Sequence, residues 1–206
     1  HIKNSNFFDI DKNSDHKSNL PHMLPQKNDW EKIMSEMGVK NSDHIVIYDN
    51  SDVISSCRVW YTFLYFNHNP NLVSILDGGL KKWLKEKKEI TKDIKKFEKS
   101  YYSTHEDTSL VLNKDQIDVN IKNKSFELVD ARSRERFLGL QPEPRKGLRS
   151  GNIKNSFCIP FNECLNENKT FKKKDDLIII FKSCLGSIYE NNIVFSCGSG
   201  VTACVL

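Results

Sequence analysis

The chain has 206 residues, of which 38% are hydrophobic and 28% charged, with a formal net charge of +4. That composition suits a water-facing globular fold of one large or two small domains. It excludes helical membrane spans, because the longest apolar run, Leu177 to Phe181, is strand-sized and far below the ~18 to 20 residues a span needs. The positive charges are interleaved with acids: Lys81, Lys82, Lys85, Lys87 and Lys88 sit among Glu86, Glu89 and Asp93. Such runs read as solvated helix faces and not as a phosphate-tracking stripe, so no nucleic-acid partner and no membrane partner is expected. Cys57, Cys158, Cys164, Cys184, Cys197 and Cys204 show no CxxC pair and no His/Cys cluster at zinc spacing. A reducing compartment and no metal site are the expectation.

In chain order, His1 to Phe8 resembles Asn152 to Ile159, 151 residues on, and each copy continues into a polar stretch, a helix and a short apolar strand. The strand is Ile45 to Tyr48 in the first copy and Ile193 to Ser196 in the second, 148 residues apart, which predicts a tandem duplication. After its strand the first copy turns through Asp49-Asn50-Ser51 into an apolar and aromatic helix, Arg58 to Phe66. A buried strand follows at Leu72 to Leu76, then the turn Asp77-Gly78-Gly79 and a helix from Leu80 to Lys87. Residues 90–113 are charged, Gly-free and poor in apolar periodicity, and read as a linker, with a short helix from Lys114 to Asn123 after it. The second copy is preceded by a strand, Phe126 to Asp130, and a polar segment through Gly151 that the first copy lacks. Merging the copies predicts an α/β fold in which each domain is a parallel sheet flanked by helices. The expected domains are residues 1–89, without a leading strand, and residues 114–206, ending soon after the turn at Cys197. Two copies of such a fold need more than 206 residues, so the expectation is a chain cut short at both ends, which also hides any targeting segment.

That turn, Cys197-Gly198-Ser199-Gly200-Val201-Thr202-Ala203-Cys204, follows a strand and is expected to open a helix. Two glycines let successive backbone N–H groups converge into an anion-binding nest. A cysteine at its mouth is expected to be a thiolate near neutral pH and to act as a nucleophile, while Cys57, Cys158, Cys164 and Cys184 are read as structural. A cysteine-dependent phosphatase needs an arginine about six residues further on; Ala203 stands there, which argues against phosphatase chemistry. The first copy has Asp49 in place of Cys197, so one domain is expected to be catalytic and the other supporting.

Several segments together resemble the two-domain rhodanese superfamily: the turn 197–204, the stretch from Val129-Asp130-Ala131-Arg132 through Arg136-Phe137-Leu138-Gly139 to Glu143-Pro144-Arg145, the block Arg58-Val59-Trp60, and Leu76-Asp77-Gly78-Gly79-Leu80 with Trp83. The resemblance runs from His1 to Cys204 and is nearest to the branch that uses 3-mercaptopyruvate. It implies sulfur transfer through a persulfide on Cys197, with Gly198, Gly200, Val201 and Thr202 cradling the sulfur and Arg136 and Arg145 holding substrate. The neutral pair Gly198-Ser199, where thiosulfate-specific relatives carry basic residues, favours a monocarboxylate. The resemblance also implies a Ser-His-Asp set: Ser199, His22 and Asp11, with Asp9 or Asp15 as alternatives to Asp11. Implied acceptors are thioredoxin, another thiol or cyanide, with no cofactor, in the cytoplasm or the mitochondrion. Two residues depart from the pattern: Asn152 stands where a His is common and Cys57 where a Pro is common. Thiosulfate:cyanide sulfur transfer is the alternative. More distant is a redox-sensing module built on a Cys197–Cys204 disulfide.

Overall fold

The computed structural model describes residues 1–186 and 192–206. It divides into two units, His1–Leu110 and Val111–Leu206.

In the first unit, α1 (Lys27–Glu36) is followed by β1 (Ile45–Ile47), α2 (Ser56–Tyr65), β2 (Val73–Ile75) and α3 (Gly79–Lys85). β1 and β2 pair in parallel, Ile45 opposite Val73 and Ile47 opposite Ile75, with α2 as the crossover. The predicted strands and helices are all present, one or two residues displaced at their ends. The core is aromatic. Trp30 stacks on Phe66 at 5.1 Å and meets Phe63 edge-on at 5.0 Å, and Met34, Val73 and Tyr102 complete the buried cluster. On α1, Trp30, Ile33, Met34 and Met37 recur at helical spacing, which turns one stripe of a polar helix inward.

Tyr102 corrects the linker reading of residues 90–113. The segment 90–110 belongs to the first unit, and Tyr102 is 2% exposed within its core. Its ring lies parallel to that of His68, 5.9 Å away, and its hydroxyl shares a hydrogen bond with His68 Nδ1. The strap is tied down mainly through backbone groups: Thr91 N–H donates to His1 O, Ser100 N–H to Ser35 O, and Asn41 exchanges side-chain hydrogen bonds with the Ser103 backbone. It passes so close to Gly38 that a Cβ there would lie 2.6 Å from Glu98 O. Backbone pairing of this kind leaves no apolar period in the sequence.

The second unit runs α4 (Lys114–Asn123), β3 (Glu127–Asp130), α5 (Arg134–Phe137), β4 (Ser156–Cys158), α6 (Lys174–Leu185) and β5 (Ile193–Ser196). All pairings are parallel in the order β4-β3-β5, so β3 is central. α4 occupies the predicted residues, fixed by a capping box in which Asn113 Oδ1 accepts from Gln116 N–H and Gln116 Oε1 accepts from Asn113 N–H. The short helix α5 was not anticipated in the polar segment after β3. The apolar run 177–181 lies inside α6, where Leu177, Ile180, Phe181, Cys184 and Leu185 pack around Val129 and Ile159, while Ile179 is exposed.

The two segments likened in the sequence share a local geometry. Asn4 and Asn155, 151 residues apart, both adopt positive φ, 62° and 63°. In both copies the following serine hydroxyl donates to a carbonyl three residues back: Ser5 to Ile2 O at 2.7 Å, Ser156 to Ile153 O at 2.6 Å. The copies then part. Ser156–Cys158 is a strand because β3 lies beside it, whereas residues 5–7 have no strand beside them among the described residues.

Candidate active site

In a parallel sheet, functional groups gather beyond the carboxyl ends of the strands, where neighbouring connections diverge. Here those ends carry Asp130 on β3 and Cys197 just after β5, with Ala131 N–H donating to Ser196 O at 2.8 Å to hold the two ends together.

Beyond β5 the chain curls back on Cys197 Sγ. Gly200, at φ 73°, donates its N–H to the sulfur at 3.1 Å. Burial pushes this thiol up, but the Thr202 hydroxyl and the N–H groups of Ser199, Ala203 and Gly200 all hydrogen-bond to the sulfur, and the net effect is a pKa below the ordinary value. Cys158 and Cys164 lack such donors, and burial raises both to about 11; burial raises Cys184 as well. The expected helix after the loop is instead a four-residue 3-10 turn, Thr202–Val205, in which Cys204 N–H donates to Val201 O. Val201 is buried beneath the loop. The Cys204 thiol donates to Gly200 O at 3.0 Å, a further clamp on the cradle.

Arg136 and Arg145 reach the same loop from the segment that follows β3. A Cβ on Gly198 would sit 3.2 Å from Nη2 of Arg136 and 3.4 Å from Nη2 of Arg145, and Arg145 Nη2 donates to Gly198 O. The missing side chain at Gly198 therefore leaves room for two guanidinium groups beside the nucleophile's loop. Their setting had not been anticipated. Glu143, its side chain 4% exposed, accepts from Arg136 Nε at 3.1 Å and Nη2 at 2.6 Å, and from Arg132 Nη1 at 2.7 Å. Arg132 is in turn clamped to both carboxylate oxygens of Asp130 and to Gly151 O. The Arg136 hydrogen bond lowers the Glu143 pKa despite burial, so the carboxylate stays ionised. Asp130, Arg132, Arg136 and Glu143 fall within fourteen positions, which was the available sequence signal, but the pairing depends on how the loop folds back.

Asn152, at the position where a His is common, donates its side-chain amide to Phe137 O and pins the end of α5. Cys57 is buried, with its N–H donating to Ile54 O, a bond that a proline could not make.

In the first unit, His22 Nε2 lies 2.7 Å from Asp11 Oδ1. The two alternatives to Asp11 are occupied elsewhere: Asp9 accepts from Asp11 N–H and Lys12 N–H, and Asp15 from Lys17 N–H and the Gln26 amide. His22 is held at φ 57°, and its carbonyl accepts from Arg58 Nη2 at 2.6 Å, which gives a role to the Arg58 of the quoted block. Ser199 belongs to the second unit, where its N–H faces Cys197.

Among the described residues no helix is long and apolar enough to cross a membrane, and no group of three metal-ligating side chains is assembled.

Comparison with known proteins agrees with the architecture. Residues 1–86 match the family described as the rhodanese-like domain. The chain is 39% identical over 206 residues to mouse 3-mercaptopyruvate sulfurtransferase, covering 99% of this chain and 68% of that protein. It is 36% identical to the Arabidopsis thaliana thiosulfate/3-mercaptopyruvate sulfurtransferase 1, mitochondrial, over all of this chain and 59% of that protein. The crystal structure of SseA from Escherichia coli, a 3-mercaptopyruvate sulfotransferase, superposes with a TM-score of 0.88 at 32% identity, covering all of this chain and 75% of that one. The chain belongs to the two-domain rhodanese family of sulfurtransferases, enzymes acting on small sulfur-bearing substrates.

Proposed function

We propose that the protein moves sulfur from 3-mercaptopyruvate to a thiol through a persulfide on Cys197. The observation that carries this reading is the Cys197 sulfur itself, its pKa lowered by one hydroxyl and three backbone N–H groups despite burial, and flanked, at Gly198, by Arg136 and Arg145. The two guanidinium groups are suited to a carboxylate and an adjacent keto oxygen. Cys197 Sγ attacks the substrate sulfur; the S–S bond forms as the C–S bond breaks, and its electron pair leaves with the carbon as pyruvate enolate. The proton of the substrate thiol ends on that carbon, and the product is pyruvate. The N–H groups that stabilised the thiolate then stabilise the persulfide anion. Ser199 is the proton-handling group beside the cradle in this scheme, and the family resemblance adds His22, whose Nε2 lies on Asp11 Oδ1.

The persulfide is then attacked by an acceptor thiolate, that of thioredoxin or a small thiol, or by cyanide, which regenerates Cys197. A dithiol acceptor closes to a disulfide and releases hydrogen sulfide. No metal or organic cofactor enters. None of the six cysteines is joined in a disulfide, which supports a reducing setting, cytoplasmic or mitochondrial.

Incubation with 3-mercaptopyruvate should release pyruvate and leave +32 Da on the Cys197 peptide. Pyruvate release from a Cys197→Ser protein would overturn the scheme. The alternative donor is thiosulfate, and a kcat/KM favouring it would replace 3-mercaptopyruvate in the first step. A Cys197–Cys204 crosslink in place of the adduct would favour redox sensing.

A further inference from the structure

Glu143 takes no part in the reaction above, yet its carboxylate is buried against the guanidinium group of Arg136, which reaches the Cys197 loop. Asp130 matches the charge of Arg132, and Glu143 matches that of Arg136. Among the described residues no carboxylate pairs with Arg145, whose described partner is the neutral carbonyl of Gly198. Of the three guanidinium groups, therefore, Arg145 alone contributes an uncompensated positive charge beside the loop, and the Cys197 thiolate opposes it.

We propose that Glu143 is a specificity-determining residue: by cancelling the charge of Arg136 it holds the site at a net charge that accepts a monoanionic carboxylate and penalises a dianion such as thiosulfate. This rests on the sulfur-transfer reading and adds to it a reason for substrate choice beyond the neutral Gly198-Ser199 pair. A monoanion gains from Arg145 and still forms directed hydrogen bonds with the outward N–H groups of Arg136. A dianion carries a second charge that, of these three guanidinium groups, only Arg145 is left to meet, and the thiolate repels it. Removing the Glu143 charge frees Arg136, and the extra attraction is felt twice by a dianion and once by a monoanion.

The test is the ratio of kcat/KM for thiosulfate to that for 3-mercaptopyruvate. Glu143→Gln, which keeps the shape and a carbonyl acceptor, should raise the ratio about five- to tenfold, carried by a lower KM for thiosulfate and weakened by added salt. Glu143→Asp, which keeps the charge, should leave the ratio within about twofold even where both activities fall. Equal loss of both activities in Glu143→Gln, with no change of ratio, would reduce Glu143 to a structural brace and overturn the proposal. A measurement on the unaltered chain covers the case in which Glu143→Gln fails to fold. Pyruvate, a monoanion, should slow iodoacetamide alkylation of Cys197 at concentrations at least about fivefold lower than sulfate, a dianion; sulfate protecting as well as pyruvate would overturn the charge argument. The same alkylation order tests the proposal even if the unaltered chain releases no pyruvate from 3-mercaptopyruvate, an outcome that would overturn the sulfur-transfer reading alone.

Discussion

The loops that follow β1 and β5 occupy equivalent places in the two copies and gather hydrogen-bond donors around different acceptors. After β1, Asp49 Oδ2 accepts from the Ser51 and Ser55 hydroxyls, each at 3.1 Å, and from Ser56 N–H at 2.8 Å, so a fixed carboxylate caps the start of α2. After β5, the Cys197 sulfur accepts from a hydroxyl and three N–H groups. In the first loop the space beyond the turn is closed: Leu80 N–H donates to Asp49 O, and a Cβ on Gly79 would lie 2.7 Å from that oxygen. In the second, the corresponding approach at Gly198 is taken by Arg136 and Arg145. The cradle is thus shared, and chemistry requires two further things: an anion that is also a nucleophile, and an open side lined by cations.

The largest effect expected from this contrast is on Cys197. Cys197→Ser should cost at least about 10³-fold in pyruvate release, because a serine hydroxyl in the same cradle stays protonated. Adding Asp49→Cys to that protein should restore nothing, since the first cradle lacks the arginine pair. A persulfide on the introduced cysteine would break the comparison.

Next is the open side. Arg145→Ala should lower kcat/KM for 3-mercaptopyruvate by about 1.5 to 3 kcal/mol, the value of a hydrogen bond to a charged group, and also release the Gly198 carbonyl it holds. An unchanged kcat/KM would show that the cations are surface charges and that only the cradle matters.

These parts were unequally legible. The repeat and the Gly-x-Gly turn at Cys197 were readable from the residues themselves, whereas Arg136 and Arg145 were singled out only by resemblance to a family motif. The strap 90–110 was misread because its one deeply buried aromatic, Tyr102, sits among charged neighbours and its remaining ties are largely through backbone. Glu143 was quoted within a motif but given no role. Its partners stand seven and eleven residues back, but the helix between them ends at Phe137, so the contact comes from a loop that folds back and not from a regular period. The choice among Asp9, Asp11 and Asp15 was equally closed to sequence reasoning, since three acids within seven residues differ only in how the loop turns.

In the first unit the capping role of Asp49 predicts a stability effect with little effect on chemistry. Asp49→Ala should destabilise by about 1 to 2 kcal/mol in denaturant unfolding, the value of a lost helix cap. It should leave alkylation of Cys197 unchanged. A larger loss of reactivity than of stability would mean that the first loop contributes to catalysis after all.

The smallest effect, and the sharpest test of the cradle, is on pH dependence. The side-chain donor to the Cys197 sulfur is the Thr202 hydroxyl, and Thr202→Val removes it with little change of shape. One hydrogen bond to an anion is worth about 1 kcal/mol, so alkylation of Cys197 near neutral pH should slow about three- to sixfold, with its pH profile moved upward. At pH well above an ordinary thiol pKa the two proteins should react alike. Stability should follow the same sign. A thiol whose pKa is lower folded than unfolded adds stability that is complete above the unfolded value and fades as pH falls through the folded one. The gap between the parent and Thr202→Val should therefore be widest in alkaline solution and shrink toward acid. A gap that stayed constant with pH would mean that Thr202 packs the loop without stabilising the thiolate, leaving the backbone N–H groups alone to set Cys197 apart from Asp49.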